Sequence, residues 1–165
     1  MPFNVVEPVI DPRVRGLCTK PYEGHPKGCP NFGRCDRCPP HAPTIENMID
    51  LSRPVFVVWN AFPLGEHIEK MRVKHPDWTE RQLLNCLYWQ GTARKQLKQK
   101  IEDFRWYTLI RNPGFRYIVL TTPEACGVNV TETMASVGEA LQWPARTVAY
   151  QVAIVGCSAR TRCTP

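Results

Sequence analysis

The sequence contains no apolar run near the roughly 20 residues that a membrane-spanning helix requires, which predicts a protein with no membrane partner. It shows no internal repeat and no low-complexity tract, excluding solenoid and fibrous architectures. No Ser–His–Asp ordering, phosphate-cradling glycine loop or paired-carboxylate signature is present, so the commonest hydrolytic and phosphoryl-transfer chemistries lack their usual carriers. The first fourteen residues carry Glu7, Asp11 and three prolines rather than the basic-then-apolar order of a secretory signal. The expected location is therefore cytoplasmic, where thiols stay reduced and bind metals more readily than they form disulfides.

Cysteine and proline are present in excess. The 165 residues include 8 cysteines and 16 prolines, against an otherwise ordinary 43% hydrophobic and 22% charged content. Nine of the prolines fall in residues 1–43, together with Gly16, Gly24, Gly28 and Gly33, and no helical or strand period survives there. A structureless stretch of this length is either disordered or functional. Four cysteines within it favour function, because a metal can order a chain that buries no core of its own.

Beyond Pro43 the pattern changes. Thr44–Leu51 reads as a short helix capped by Thr44, residues 54–59 as a buried strand, and residues 65–74 as a second helix. Asp77-Trp-Thr-Glu80 reads as the cap of a long helix reaching about Phe104, with Leu83, Leu87, Leu97, Ile101 and Phe104 on one apolar stripe and Cys86 on it as a core thiol. Residues 115–121 and 147–155 read as strands, and residues 129–141 as a helix with Asn129 and Glu132 in a capping box. The fold class is α/β: a small sheet of three or more strands packed with helices, preceded by a long Cys/Pro-rich metal-binding loop. It forms one domain over 1–165, with 1–43 as the metal-binding region and 44–165 as the α/β core.

The sharpest chemical signal is Cys18-x10-Cys29-x5-Cys35-x2-Cys38. Four thiolates from one loop make a sulfur cage that suits zinc or an iron–sulfur cluster. Structural zinc usually uses two short-spaced pairs, and only Cys35 and Cys38 form one here. Proline follows Cys29 and Cys38, a step that recurs in cluster-binding loops, so the residues favour an iron–sulfur cluster, [4Fe-4S] in type, with zinc as the alternative. His25 and His41 flank the loop as reserve ligands, whereas His67 and His75 read as surface residues of a helix.

Cys29-Pro-Asn-Phe-Gly-Arg followed by Cys38-Pro-Pro resembles the Cys-Pro-x-Tyr-Gly…Cys-Pro-Pro signature of an uncharacterised family of predicted metal-binding proteins. Pro123-Glu-Ala-Cys126-Gly-Val-Asn-Val130 is similar to that family's Met-Glu-Ala-Cys-Gly-Ile-Asp-Val stretch. The resemblance implies a bound metal, iron–sulfur in type, with Cys18, Cys29 and Cys38 fitting it best. The family's further ferredoxin-like cysteine cluster has no counterpart, since residues 111–122 contain no cysteine.

Two arrangements stay open. With Cys35 as fourth ligand the centre is closed and suits electron transfer or structural support; without it, one iron is open to act as a Lewis acid. Cys126, between a strand and a helix, reads as a ligand, a catalytic nucleophile with a lowered pKa, or a buried thiol. Gln90 and Arg94 interrupt the apolar stripe of the long helix and are the candidate substrate-binding pair for a small anionic or nucleotide-like substrate. The enzyme would then be an iron–sulfur-dependent lyase, transferase or oxidoreductase. Residues 65–116 carry eleven Lys or Arg against six Asp or Glu, out of a net charge of +6. That surplus, with Arg94, Lys95, Lys98 and Lys100 near Trp89, Trp106 and Tyr107, makes a nucleic-acid-binding module the alternative function. Cys157 and Cys163, near Arg160 and Arg162, read as thiols of a frayed terminus.

Overall fold

The computed structural model of the chain describes residues 2–22, 25–111 and 116–159. Cys163, Arg160, Arg162 and the start of the strand expected at Phe115 lie outside them. The chain forms β1 (Phe3–Val5), α1 (Ile45–Met48), β2 (Phe56–Phe62), α2 (Leu64–Lys74), α3 (Glu80–Leu83), α4 (Gln90–Arg111), β3 (Tyr117–Leu120), α5 (Val130–Ala135) and β4 (Ala149–Cys157). The strands make one antiparallel sheet in the order β1-β2-β4-β3. Helices pack on both its faces, as the α/β reading expects.

The period-2 alternation of the strands divides the core. Val57, Trp59, Leu120, Val152 and Ile154 face Ile45, Ile49, Val128, Val130 and Met134. The opposite face sets Val58, Ala153 and Val155 against Leu97, Ile101 and Phe104 of α4. A third cluster at one end gathers Phe62, Leu64, Ile68, Leu83, Trp89 and Ala93. The buried amide of Asn60 is satisfied by Gln96 Oε1 at 2.9 Å, which ties β2 to α4.

Several boundaries differ from the sequence reading. Residues 1–43 contain β1 and a 3-10 segment, Pro12–Thr19, whose first turn is capped by the Asp11 carboxylate accepting from the Arg13 amide. The single helix expected from Asp77 to Phe104 is instead α3, a 3-10 turn at Cys86–Tyr88, and α4. The cap is Thr79 with Gln82, not Asp77 with Glu80. Asn85 then breaks the helix: it adopts an extended backbone and its side chain accepts from the Leu87 amide, a local bond that competes with helix continuation. The break swings Leu87 off the stripe, leaving it 82% exposed. The helix expected over 129–141 stops at Ala135 because Gly138, at φ 86°, turns the chain while the Glu139 amide returns to the Met134 carbonyl. Asn129 does cap that helix, accepting from the Glu132 amide.

Candidate metal centre

The cysteine loop is organised by its backbone. The Cys29 amide donates to the Cys18 carbonyl at 2.8 Å, drawing the two ends of the ten-residue spacer together. Gly28, at φ 80°, makes that approach feasible: a Cβ there would lie 2.7 Å from the Cys18 carbonyl oxygen. Further along, the Cys38 amide donates to the Cys35 carbonyl, the Gly33 amide to the Pro39 carbonyl and the Ala42 amide to the Cys38 carbonyl.

Cys35 and Cys38 bring their sulfurs to 3.1 Å, within hydrogen-bond distance. One proton between two thiols splits their acidities. Cys35, fully in solvent and near the Arg37 amide, is lowered chiefly by the hydrogen bond from Cys38. Cys38 is pushed up to about 11, first by its bond to Cys35, then by burial and by the charges of Cys35, Cys29 and Cys18. Cys18 is raised by burial and then by the charges of Cys29 and Glu124. Cys38 thus lies within electrostatic reach of the other three. In this conformation the four do not close a site: among the described residues no three His, Cys, Asp or Glu side chains converge on a point that a metal could occupy. The donor chemistry fits a thiolate-bound metal, with the Cys35–Cys38 pair placed together and Cys18 and Cys29 joined by backbone.

This arrangement has a direct chemical readout. In metal-free protein at pH 7–8, iodoacetamide is expected to alkylate Cys35 first, because the exposed thiolate is the nucleophile. Cys38, raised chiefly by its bond to Cys35, should lag behind it. Peptide mass spectrometry across a pH series checks the order; equal labelling of the two at pH 7 contradicts it.

The loop is fastened to the core by Arg15. Its guanidinium donates to the carbonyls of Ala42 at 2.6 Å and Pro40 at 3.2 Å. The Asp11 amide donates to the Gly127 carbonyl and the Asn129 amide to the Val9 carbonyl, so the 3-10 segment lies along the Pro123–Cys126 turn. Cys126 sits in that turn, buried among Val128, Val130 and Ile154. Burial raises its thiol, outweighing the lowering by Arg15, so the pKa depression expected from its place before a helix is absent. Its surroundings are those of a core thiol.

The substrate pair is separated. Gln90 lines a cavity of about 280 Å³ beside the end of β3, whereas Arg94, one turn along α4, is exposed and does not line it. Of the aromatic residues considered for stacking, Trp106 is 68% exposed, Trp89 is buried and Tyr107 packs on Phe3. Cys86 stands at the margin of the third core cluster, near enough to Tyr22 that its charge, with those of Cys29 and Cys18, raises the phenol after burial. Cys157 is buried in β4, not frayed. His67 is half-buried, with its Nε2 unpartnered and its pKa lowered by burial, rather than a surface residue. Two functional candidates escaped sequence reasoning. Arg15 carries no local signal, since its role appears only when residues 40 and 42 come beside it. Glu124 stood in view within Pro123-Glu-Ala-Cys126, overshadowed by the cysteine.

No helix among the described residues is long and apolar enough to cross a membrane. Comparison with family models, curated proteins and solved structures gives no significant match to this chain.

Proposed function

We propose that this is a metal-binding protein whose N-terminal loop holds an iron–sulfur cluster through Cys18, Cys29, Cys35 and Cys38. The observation that carries the reading is the pairing within the loop, with the Cys35 and Cys38 sulfurs 3.1 Å apart and the Cys29 amide bonded to the Cys18 carbonyl at 2.8 Å. Thiols held together in this way keep their protons, and a metal that displaces those protons supplies the positive charge that neighbouring thiolates require. A cluster contributes one-electron chemistry when closed and Lewis acidity when one iron is open. Arg15 and the Cys18–Cys29 backbone bond hold the loop against the Pro123–Cys126 turn. In its fuller form the reading is of an enzyme whose nucleotide-like substrate lies in the cavity that Gln90 lines.

Anaerobic purification after growth on iron tests it. The expected protein is brown, with broad absorption near about 400 nm and iron and sulfide in equal amounts. The Cys38→Ser variant should lose the colour. Colourless wild-type protein carrying stoichiometric zinc overturns the cluster in favour of a zinc site, and protein with neither metal overturns the reading altogether.

A further inference from the structure

β3 is shorter than the strand it pairs with. Its last residue, Leu120, faces Ile154, so among the described residues no strand pairs with 149–153 of β4 on that side. On the other side β2 pairs with all of 149–155. Residues 149–152 of the unpaired stretch form one wall of the 280 Å³ cavity.

The remaining walls combine planar and polar groups. Trp89 and Gln90 enter from the start of α4, Glu124 from the turn after β3, Gln142 and Trp143 from the loop after α5, and Tyr150 from β4. Trp143 is 67% exposed but oriented, because its indole N–H donates to Thr131 Oγ1 at 2.9 Å. Tyr150 is likewise fixed by donating to Glu139 Oε2 at 2.7 Å. Glu124 has no ion pair among the described residues, and its carboxylate accepts only from its own backbone amide. Burial raises its pKa. Among the described residues it is the cavity's only ionisable side chain besides the Tyr150 phenol, and no Lys or Arg lines the site.

These groups select a ligand class. A half-buried carboxylate without an ion pair is best satisfied by two adjacent N–H donors on one edge. Fixed indole and phenol rings favour a planar system, and the amides of Gln90 and Gln142 complement a mixed donor–acceptor periphery. The volume, just under the range for drug-sized ligands, suits one fused ring system. We propose that this notch binds a neutral planar nitrogen heterocycle with two adjacent N–H donors, as on the 2-amino-4-oxopyrimidine edge of guanine, with Glu124 as their acceptor. The inference specifies the nucleotide-like substrate of the preceding section and rests on that part of it, but needs no metal.

Guanosine, inosine and adenosine titrated into the full chain, with tryptophan fluorescence and calorimetry as readouts, test the proposal. Guanosine is expected to bind saturably. Inosine, lacking the exocyclic amine, should bind at least about tenfold more weakly, since one bond to a charged acceptor is lost. Glu124→Gln should weaken guanosine at least about tenfold, because one of the two acceptor oxygens becomes an NH2 that faces a donor and the charge is lost. Trp143→Ala, at an exposed position that does not endanger the fold, should also weaken it. Absence of saturable guanosine binding, equal binding of all three nucleosides, or unchanged binding by both variants overturns the proposal. Titrations of metal-free and metal-loaded protein separate the two readings. Binding by a chain that takes up no metal sinks only the cluster, and a cluster in a chain blind to guanosine sinks only the notch.

Discussion

Gly28→Ala is expected to abolish the proposed metal binding while the sheet stays folded. The Cβ would meet the Cys18 carbonyl oxygen at 2.7 Å and the Thr19 carbonyl carbon at 2.9 Å, backbone atoms that cannot swing aside as a side chain could. The added left-handed φ costs a non-glycine residue about 1–2 kcal/mol before any clash. Gly33 supplies the control: it also has a positive φ, 69°, but nothing lies within 4 Å of its Cβ position. Gly33→Ala should therefore weaken metal binding by about tenfold through backbone strain alone, at 1.4 kcal/mol per decade. Gly28→Ala adds the clash, parts Cys29 from Cys18, and should weaken binding by upward of about a hundredfold. Far-UV circular dichroism should match wild type, because none of the loop's cysteines belongs to the three core clusters. A readout free of metal is trypsin cleavage after Arg34, away from the substituted position, which should accelerate in Gly28→Ala. Equal metal affinity in the two variants would show that the Cys18–Cys29 contact does not shape the site.

The ease with which the core could be read, and the difficulty of reading the site, have one physical origin. Strands β2 and β4 announce themselves because their burial is continuous and local: Phe56–Phe62 and Ala149–Cys157 are runs of β-branched and apolar residues that need no distant partner to be recognised. β1 is only three residues long and forms because β2 offers it an edge, so nothing in Phe3-Asn-Val distinguished it from the loop around it. The split of the predicted long helix turned on Asn85, whose side chain chose the backbone over solvent. The cysteine spacing identified the candidate ligands. The fastening of their loop depends on Arg15 meeting carbonyls 25 and 27 residues away, which no local pattern encodes. The notch is less legible still, being defined by where β3 stops against β4. Gln90 was marked out only because it breaks an apolar stripe. The same rule marked Arg94, which the helix turns to solvent.

The largest loss of stability is expected from Phe104→Ala. Phe104 is fully buried on α4, and its ring lies 5.1 Å from Phe3, 5.1 Å from Phe56 and 5.6 Å from Tyr117, residues of β1, β2 and β3. One side chain therefore joins the helix to three of the four strands. Removing a buried phenyl ring costs about 3–5 kcal/mol in lost transfer energy and unfilled cavity, and edge-to-face partners add to what is lost. Against a total of about 5–15 kcal/mol for a typical domain, much of the stability goes. At roughly 2–4 °C per kcal/mol for a chain of this size, the melting temperature should fall by about 6–20 °C. Phe104→Leu keeps most of the volume and should lose much less, whereas Ile110→Ala, on the same helix but 79% exposed, should lose almost nothing. Calorimetry or thermal circular dichroism on the three variants decides the matter. A Phe104→Ala loss below about 1 kcal/mol, the scale of an ordinary substitution, means that α4 does not pack on this face of the sheet. The notch fed by the start of α4 would then be misplaced with it. The metal binding proposed for the N-terminal cysteine loop, anchored through Arg15 on the opposite face, should persist in every variant that remains folded, so the thermal and metal-binding readouts probe separate parts of the molecule.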